Sequence, residues 1–112
     1  MQKDVKNSQM QAMVLAAGLG TRLWPLTVKL AKPAVPFLGK ALVAHCVELL
    51  NSHGITDIAV NTHYRADSVR NALRSYDVQF SHEEDILGTA GAIRFAIDQG
   101  KLSDDRPLII IN

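Results

Sequence analysis

Residues 10–27, MQAMVLAAGLGTRLWPLT, decide how the rest of the chain is read. Met10 to Ala16 is a short apolar run that stops at an alanine–glycine step, the pattern of a strand buried on both faces. Gly18 and Gly20 follow, and the N–H groups of such a turn can converge on phosphate oxygens. Arg22 adds a forked cation suited to phosphate. Taken alone, the segment is equally a glycine turn beside a solvated arginine. Leu23 stands where a dinucleotide fingerprint needs its third glycine, and Trp24-Pro25 follows in place of an open helix. The Gly-Lys-Ser/Thr of a Walker loop is also missing.

Downstream, apolar runs alternate with helical spacing. Gly18 to Gly39 holds three glycines and three prolines and reads as a long structured loop. Two rows, Leu42/Cys46/Leu49 and Val43/Val47/Leu50, predict a helix over Ala41–His53, stopped by Gly54. Ile55 to Asn61 is a second strand. Val69, Ala72, Leu73 and Tyr76 share a face of a helix near Arg65–Ser75. Val78 and Phe80 mark a third strand. Thr89 is the expected N-cap of a helix carrying Ile93, Ala96 and Ile97 and ended by Gly100. Pro107 to Ile111 is a fourth strand. Strands separated by helices imply an α/β fold, with a mostly parallel sheet and helices on both faces. Ligands in such folds sit beyond the carboxyl ends of the strands. That places attention on the segment after Ala16, on His63/Tyr64 and on His82–Thr89.

The chain has 112 residues and a formal net charge of +1, so nothing in its bulk charge favours nucleic acid or an anionic membrane. Phosphate binding must come from locally placed Lys and Arg. Residues 1–9 are polar and read as a flexible leader without a signal peptide, with the domain occupying 10–112. No apolar run approaches the ~20 residues of a membrane span. Cys46, the one cysteine, reads as a small core residue and fits a reducing compartment. The expectation is a cytoplasmic protein.

Two further segments could carry chemistry. In Lys32-Pro33-Ala34-Val35-Pro36 the prolines stiffen the chain around a lysine that is either a phosphate contact or a solvated surface charge. Glu83-Glu84-Asp85-Ile86-Leu87-Gly88-Thr89-Ala90-Gly91 opens a helix whose N-terminus favours acceptors. Its glycines admit close approach of a flat ligand. On local grounds alone the acidic triplet reads as a solvated run. His45, His53, His63 and His82 show no ligand spacing, although His63 and His82 stand at strand ends and could line a cleft.

In this order and spacing, LAAGLGTRLWPLT, KPAVPFLGKAL and EEDILGTAGAI resemble the sugar-1-phosphate nucleotidyltransferase family, over about Met10 to Asn112. The resemblance covers mannose-1-phosphate guanylyltransferases and the related thymidylyl- and uridylyltransferases. It implies a Rossmann-like domain that joins a nucleoside triphosphate to a hexose 1-phosphate, forming a nucleotide-sugar and pyrophosphate with Mg²⁺. GTP and mannose 1-phosphate are the favoured pair. By that resemblance Leu15, Ala16, Ala17, Gly18, Gly20 and Thr21 would hold the nucleotide. Arg22 would bind the β- and γ-phosphates, and Lys32 the α-phosphate or the sugar phosphate; these two are the catalytic candidates. Gly88, with His82 or Glu83 beside it, would face the base, as would Thr89.

The family's first metal-binding Asp follows a strand such as PLIIIN within a Gly-Asp step, so the ligand Asp for Mg²⁺ is expected just beyond Asn112 and no metal ligand is assigned within these residues. These residues by themselves are therefore expected not to turn over. An apolar final strand left partly uncovered would favour a homo-oligomer through the sheet or through swapped elements. The alternative reading is a non-catalytic module that binds a nucleotide or nucleotide-sugar and regulates or assembles with another protein.

Overall fold

A computed structural model describes residues 10–17, 34 and 36–111. The expected leader, Gly18, Gly20, Thr21, Arg22 and Lys32 lie outside the described residues. The elements run β1 (Gln11–Leu15), β2 (Pro36–Phe37), β3 (Lys40–Ala41), α1 (Leu42–Ser52), β4 (Asp57–Thr62), α2 (Ala66–Ala72), β5 (Gln79–His82), α3 (Gly88–Asp98) and β6 (Leu108–Ile111). Four strands form one sheet in the order β5-β4-β1-β6, and every pairing in it is parallel.

The alternation of side chains along β1 and β4 divides the core in two. Ala12, Val14, Ile58 and Val60 face α1 and α2, where Val43, Val47, Leu50, Val69 and Leu73 pack on them. Met13 and Ala59 face the other way, onto Ala92 and Ala96 of α3 and Leu102. Helices thus cover both faces, as the sequence pattern predicts. Of the two predicted rows on α1, Val43/Val47/Leu50 is buried, whereas Leu49 is exposed.

Both long helices end in the same hydrogen-bonded stop. After α1 the N–H of Gly54 donates to Asn51 O and that of Ile55 to Leu50 O; after α3 Gly100 donates to Ile97 O and Lys101 to Ala96 O. These are Schellman pairs, with Gly54 and Gly100 in the left-handed region. At the amino ends of the strands, the buried Gln11 side chain donates to Ser103 O at 2.5 Å and accepts from Ser103 N–H at 2.8 Å. Asp57 meets Arg106 at 2.5 Å on the same side. Together they fix the turn that feeds β6.

Residues 36–41 form an element the pattern does not predict. β2 and β3 form an antiparallel hairpin across Leu38-Gly39, both at positive φ. Lys40 pairs with Glu48 of α1 at 2.6 Å, and the Tyr76 hydroxyl donates to the same carboxylate. The hydrogen bond from Lys40, with Tyr76 second, holds the Glu48 carboxyl below its usual range. The bonds to Glu48 push Lys40 and Tyr76 above theirs. Cys46 is half-buried against the core, and burial pushes its thiol up, consistent with packing rather than nucleophilic chemistry. No helix among the described residues is long and apolar enough to cross a membrane.

Candidate functional site

β4 and β5 lie on one side of β1 and β6 on the other, so the strand order reverses at β1. Ligands in open parallel sheets bind outside the carboxyl ends of strands at such a reversal. An open cleft of about 140 Å³ lies beyond the carboxyl ends of β1, β4 and β5, beside that reversal, lined by Leu15, Ala17, Asn61, Glu83, Ile86, Gly88 and Thr89. Complete pockets for drug-sized ligands run to roughly 300–1,000 Å³, so this cleft has room for a ring-sized group.

Leu15, Asn61 and Ser81 are register partners across β1, β4 and β5. Glu83 follows Ser81 by two residues, so the polar side chains of this row share the α3 face of the sheet. One row down on that face Met13 and Ala59 are apolar and fully buried; at its carboxyl rim Asn61, Ser81 and Glu83 are polar and buried. Asn61 is 4% exposed and Glu83 1%. Burial at this depth requires hydrogen-bond partners, and both have them. The Ala16 N–H donates to Asn61 Oδ1 at 2.5 Å, and Asn61 Nδ2 donates to Glu83 Oε2 at 2.9 Å. The Leu87 N–H donates to Glu83 Oε1 at 3.2 Å. The Glu83 backbone is held as well. Its N–H donates to Thr62 O at 2.7 Å, and its carbonyl accepts from His63 Nδ1 at 2.7 Å, so that ring nitrogen carries the proton.

Five predicted residues therefore meet on one cleft: Leu15, Ala17, Glu83, Gly88 and Thr89. Ala16 contributes its N–H to the wall behind it. His82 stands apart from the lining, its Nδ1 within 3.1 Å of the Thr62 hydroxyl. Two expectations are corrected. The acidic triplet is not a solvated run: Glu84 and Asp85 are exposed, but Glu83 turns inward at the strand end. Thr89 is not the N-cap. Leu87 occupies that position without a side-chain cap, and Gly88, at φ +75°, already opens the helix. The Glu83 carboxylate takes the cap's place by accepting the orphan Leu87 N–H.

The sequence pattern marks Asn61 only as the end of a strand. Its signal is an amide in a position the apolar run assigns to the interior, which a core tolerates only when the group is fully bonded. Among the described residues no three His, Cys, Asp or Glu side chains are grouped so as to hold a metal ion.

Comparison with known proteins agrees with this geometry. Residues 11–112 match the family model described as nucleotidyl transferase. A mannose-1-phosphate guanyltransferase from Emericella nidulans is 39% identical over 109 residues, covering 92% of this chain and 30% of the relative. The chain thus spans under a third of the length of such curated relatives. HddC from Yersinia pseudotuberculosis, alone and complexed with GMP-PN, superposes with a TM-score of 0.73 at 30% and 29% identity, over 89% of this chain and 46% of that one. The CTP:phosphocholine cytidylyltransferase LicC from Streptococcus pneumoniae gives a TM-score of 0.63 at 35% identity, over 67% of this chain and 33% of that one. With the parallel sheet, the cleft at its reversal point and a family match over nearly the whole length, the chain belongs to the nucleotidyl transferase family.

Proposed function

We propose that this chain is the nucleotide-binding portion of an enzyme that transfers a guanylyl group from GTP to mannose 1-phosphate, forming a nucleotide-sugar and pyrophosphate. The observation that carries the reading is the convergence of the β1 exit and the Leu87–Gly91 turn on one cleft. The relatives named mannose-1-phosphate guanyltransferase support the choice of base and sugar. In the proposed reaction an oxygen of the sugar phosphate attacks the α-phosphorus in line as the bond to the leaving pyrophosphate breaks. Such chemistry rests on positioning and on neutralising charge. Gly18, Gly20 and Thr21 would hold the triphosphate through backbone N–H groups. Arg22 would stabilise the departing pyrophosphate, and Lys32 would meet the α-phosphate or the sugar phosphate. The base would lie between Leu15–Ala17 and Gly88–Thr89, with Glu83 behind it. Mg²⁺ and a cytoplasmic setting belong to the same reading. Mg²⁺ would offset phosphate charge; no described residue is assigned to hold it, and no step is routed through it.

The test is a titration of GTP, UTP and dTTP with Mg²⁺ against thermal stability. A ligand at about 100 times its Kd stabilises the folded state by about 2.7 kcal/mol. GTP should raise the midpoint most, and no shift with any triphosphate at millimolar levels would refute the reading. Arg22→Ala should weaken GTP binding far more than guanosine binding; equal losses would remove Arg22 from the phosphate site.

A further inference from the structure

We propose that Asn61 is a positioning residue for nucleotide binding, joining the phosphate side of the cleft to its base side through one carboxamide. The proposal rests on the nucleotide reading above and adds a residue and a mechanism to it. Ala16 directly follows β1 and stands two positions before Gly18 in the sequence. Leu87 stands at the start of α3, next to Gly88. Among the described residues these two backbone N–H groups, far apart in sequence, are linked through Asn61 and Glu83.

The chemistry of the chain fixes the direction of each bond. A backbone N–H can only donate, so Asn61 must present Oδ1 to Ala16 and Nδ2 to Glu83. Glu83 then has one oxygen on Asn61 and the other on Leu87. A turn of either amide or carboxylate disturbs both ends. No neighbour replaces Asn61: Ser81, its register partner on β5, is fully buried and its hydroxyl makes no hydrogen bond among the described residues. Other side chains of similar size fail for stated reasons. A leucine leaves the Ala16 N–H and a Glu83 oxygen unpaired. An aspartate keeps the acceptor for Ala16 but sets a second carboxylate against Glu83, where a 2.9 Å hydrogen bond stood.

That asymmetry supplies the experiment. Amide hydrogen exchange at Ala16 and Leu87, followed by NMR, and affinity for GTP with Mg²⁺ are measured for the parent chain, Asn61→Asp, Glu83→Gln and the double variant. Asn61→Asp should speed exchange at both amides by about tenfold or more, leave Val14 protected, and weaken GTP by about tenfold. The double variant restores every donor–acceptor pair. Its carboxamide at position 83 can donate to the carboxylate at position 61 and still accept from the Leu87 N–H. It should bring exchange and affinity back to within about threefold of the parent. A residue that only filled space would not be rescued by exchanging the two functional groups. If Asn61→Asp does not fold, Glu83→Gln and its repair by Asn61→Asp carry the same comparison.

Opening of Ala16 without Leu87 would overturn the coupling. Opening of both with GTP affinity unchanged would overturn the positioning role and leave the nucleotide reading intact. A parent chain that binds no triphosphate overturns the nucleotide reading itself, and the positioning role with it, whatever the exchange rates show.

Discussion

Gly88 offers a sharp test of how the cleft wall is built. It opens α3 at φ +75°, and among the described residues no atom outside its own turn lies within 4 Å of where a Cβ would stand. Gly88→Ala therefore adds no clash, and its whole effect is backbone strain. A non-glycine residue held in the left-handed region costs about 1–2 kcal/mol. Asparagine visits that region far more readily than alanine, so Gly88→Asn should lose about half as much. For a domain of this size, 1 kcal/mol lowers Tm by about 4 °C or somewhat more. The expected order is parent, then Asn a few degrees lower, then Ala about 5 °C or more below the parent. Urea midpoints with an unchanged m-value would confirm a simple loss of stability. Gly91 supplies the contrast: a Cβ there would lie 2.9 Å from the Leu87 Cβ, so its limit is contact rather than conformation. Gly91→Asn should thus be worse than Gly91→Ala. If Ala and Asn are equally tolerated at Gly88, or Asn is the worse of the two, the left-handed opening of α3 is wrong.

Two further outcomes follow from the packing. The Lys40–Glu48–Tyr76 cluster has a defined pH window. Glu48 is lowered by its partners, so its stabilisation is present above the ordinary value of 4.5 and fades as pH falls below it. Tyr76 and Lys40 are raised, so theirs is present below ordinary values of 10.0 and 10.5 and is lost as pH rises through the elevated ones. Glu48→Gln should flatten the stability profile at both ends; identical denaturation profiles for parent and variant from about pH 3 to 11 would refute the clamp. Leu73 is fully buried where α2 meets the sheet, and Leu73→Ala should cost about 2–5 kcal/mol by urea denaturation. A loss under about 1 kcal/mol would mean that α2 does not pack as described.

The sequence shows the repeating units of this fold because each carries a period. Val43/Val47/Leu50 and Val69/Leu73 recur at helical spacing, and the apolar segments Met10–Ala16 and Ile55–Asn61 are long enough for buried strands. What the sequence hides is set by geometry between segments. The hairpin at 36–41 has two strands of two residues, too short to show alternation. Three adjacent acids look alike until β5 is extended by one residue past His82, which turns Glu83 inward and leaves Glu84 outside. Thr89 carries the right side chain for a cap, but the helix opens earlier because Gly88 adopts a conformation Thr89 would resist. Gly88 and Glu83 are legible through the family pattern. Asn61 is not, since its role depends on Ala16 and Glu83, which become its neighbours only after the sheet assembles.

The placement of β1 also has a temporal side. It is the first described strand in the chain and an interior one in the sheet, with Gln11 opposite Asp57 on one flank and Leu108 on the other. Contacts this distant in sequence must close large loops before they return any stabilisation, which slows folding. On a ribosome β1 would emerge early yet gain its second neighbour only after β6 had left the exit tunnel. Until then its open flank offers unpaired N–H and carbonyl groups to any passing strand. A chain built this way gains from reaching β6 quickly and from being shielded by chaperones while it waits.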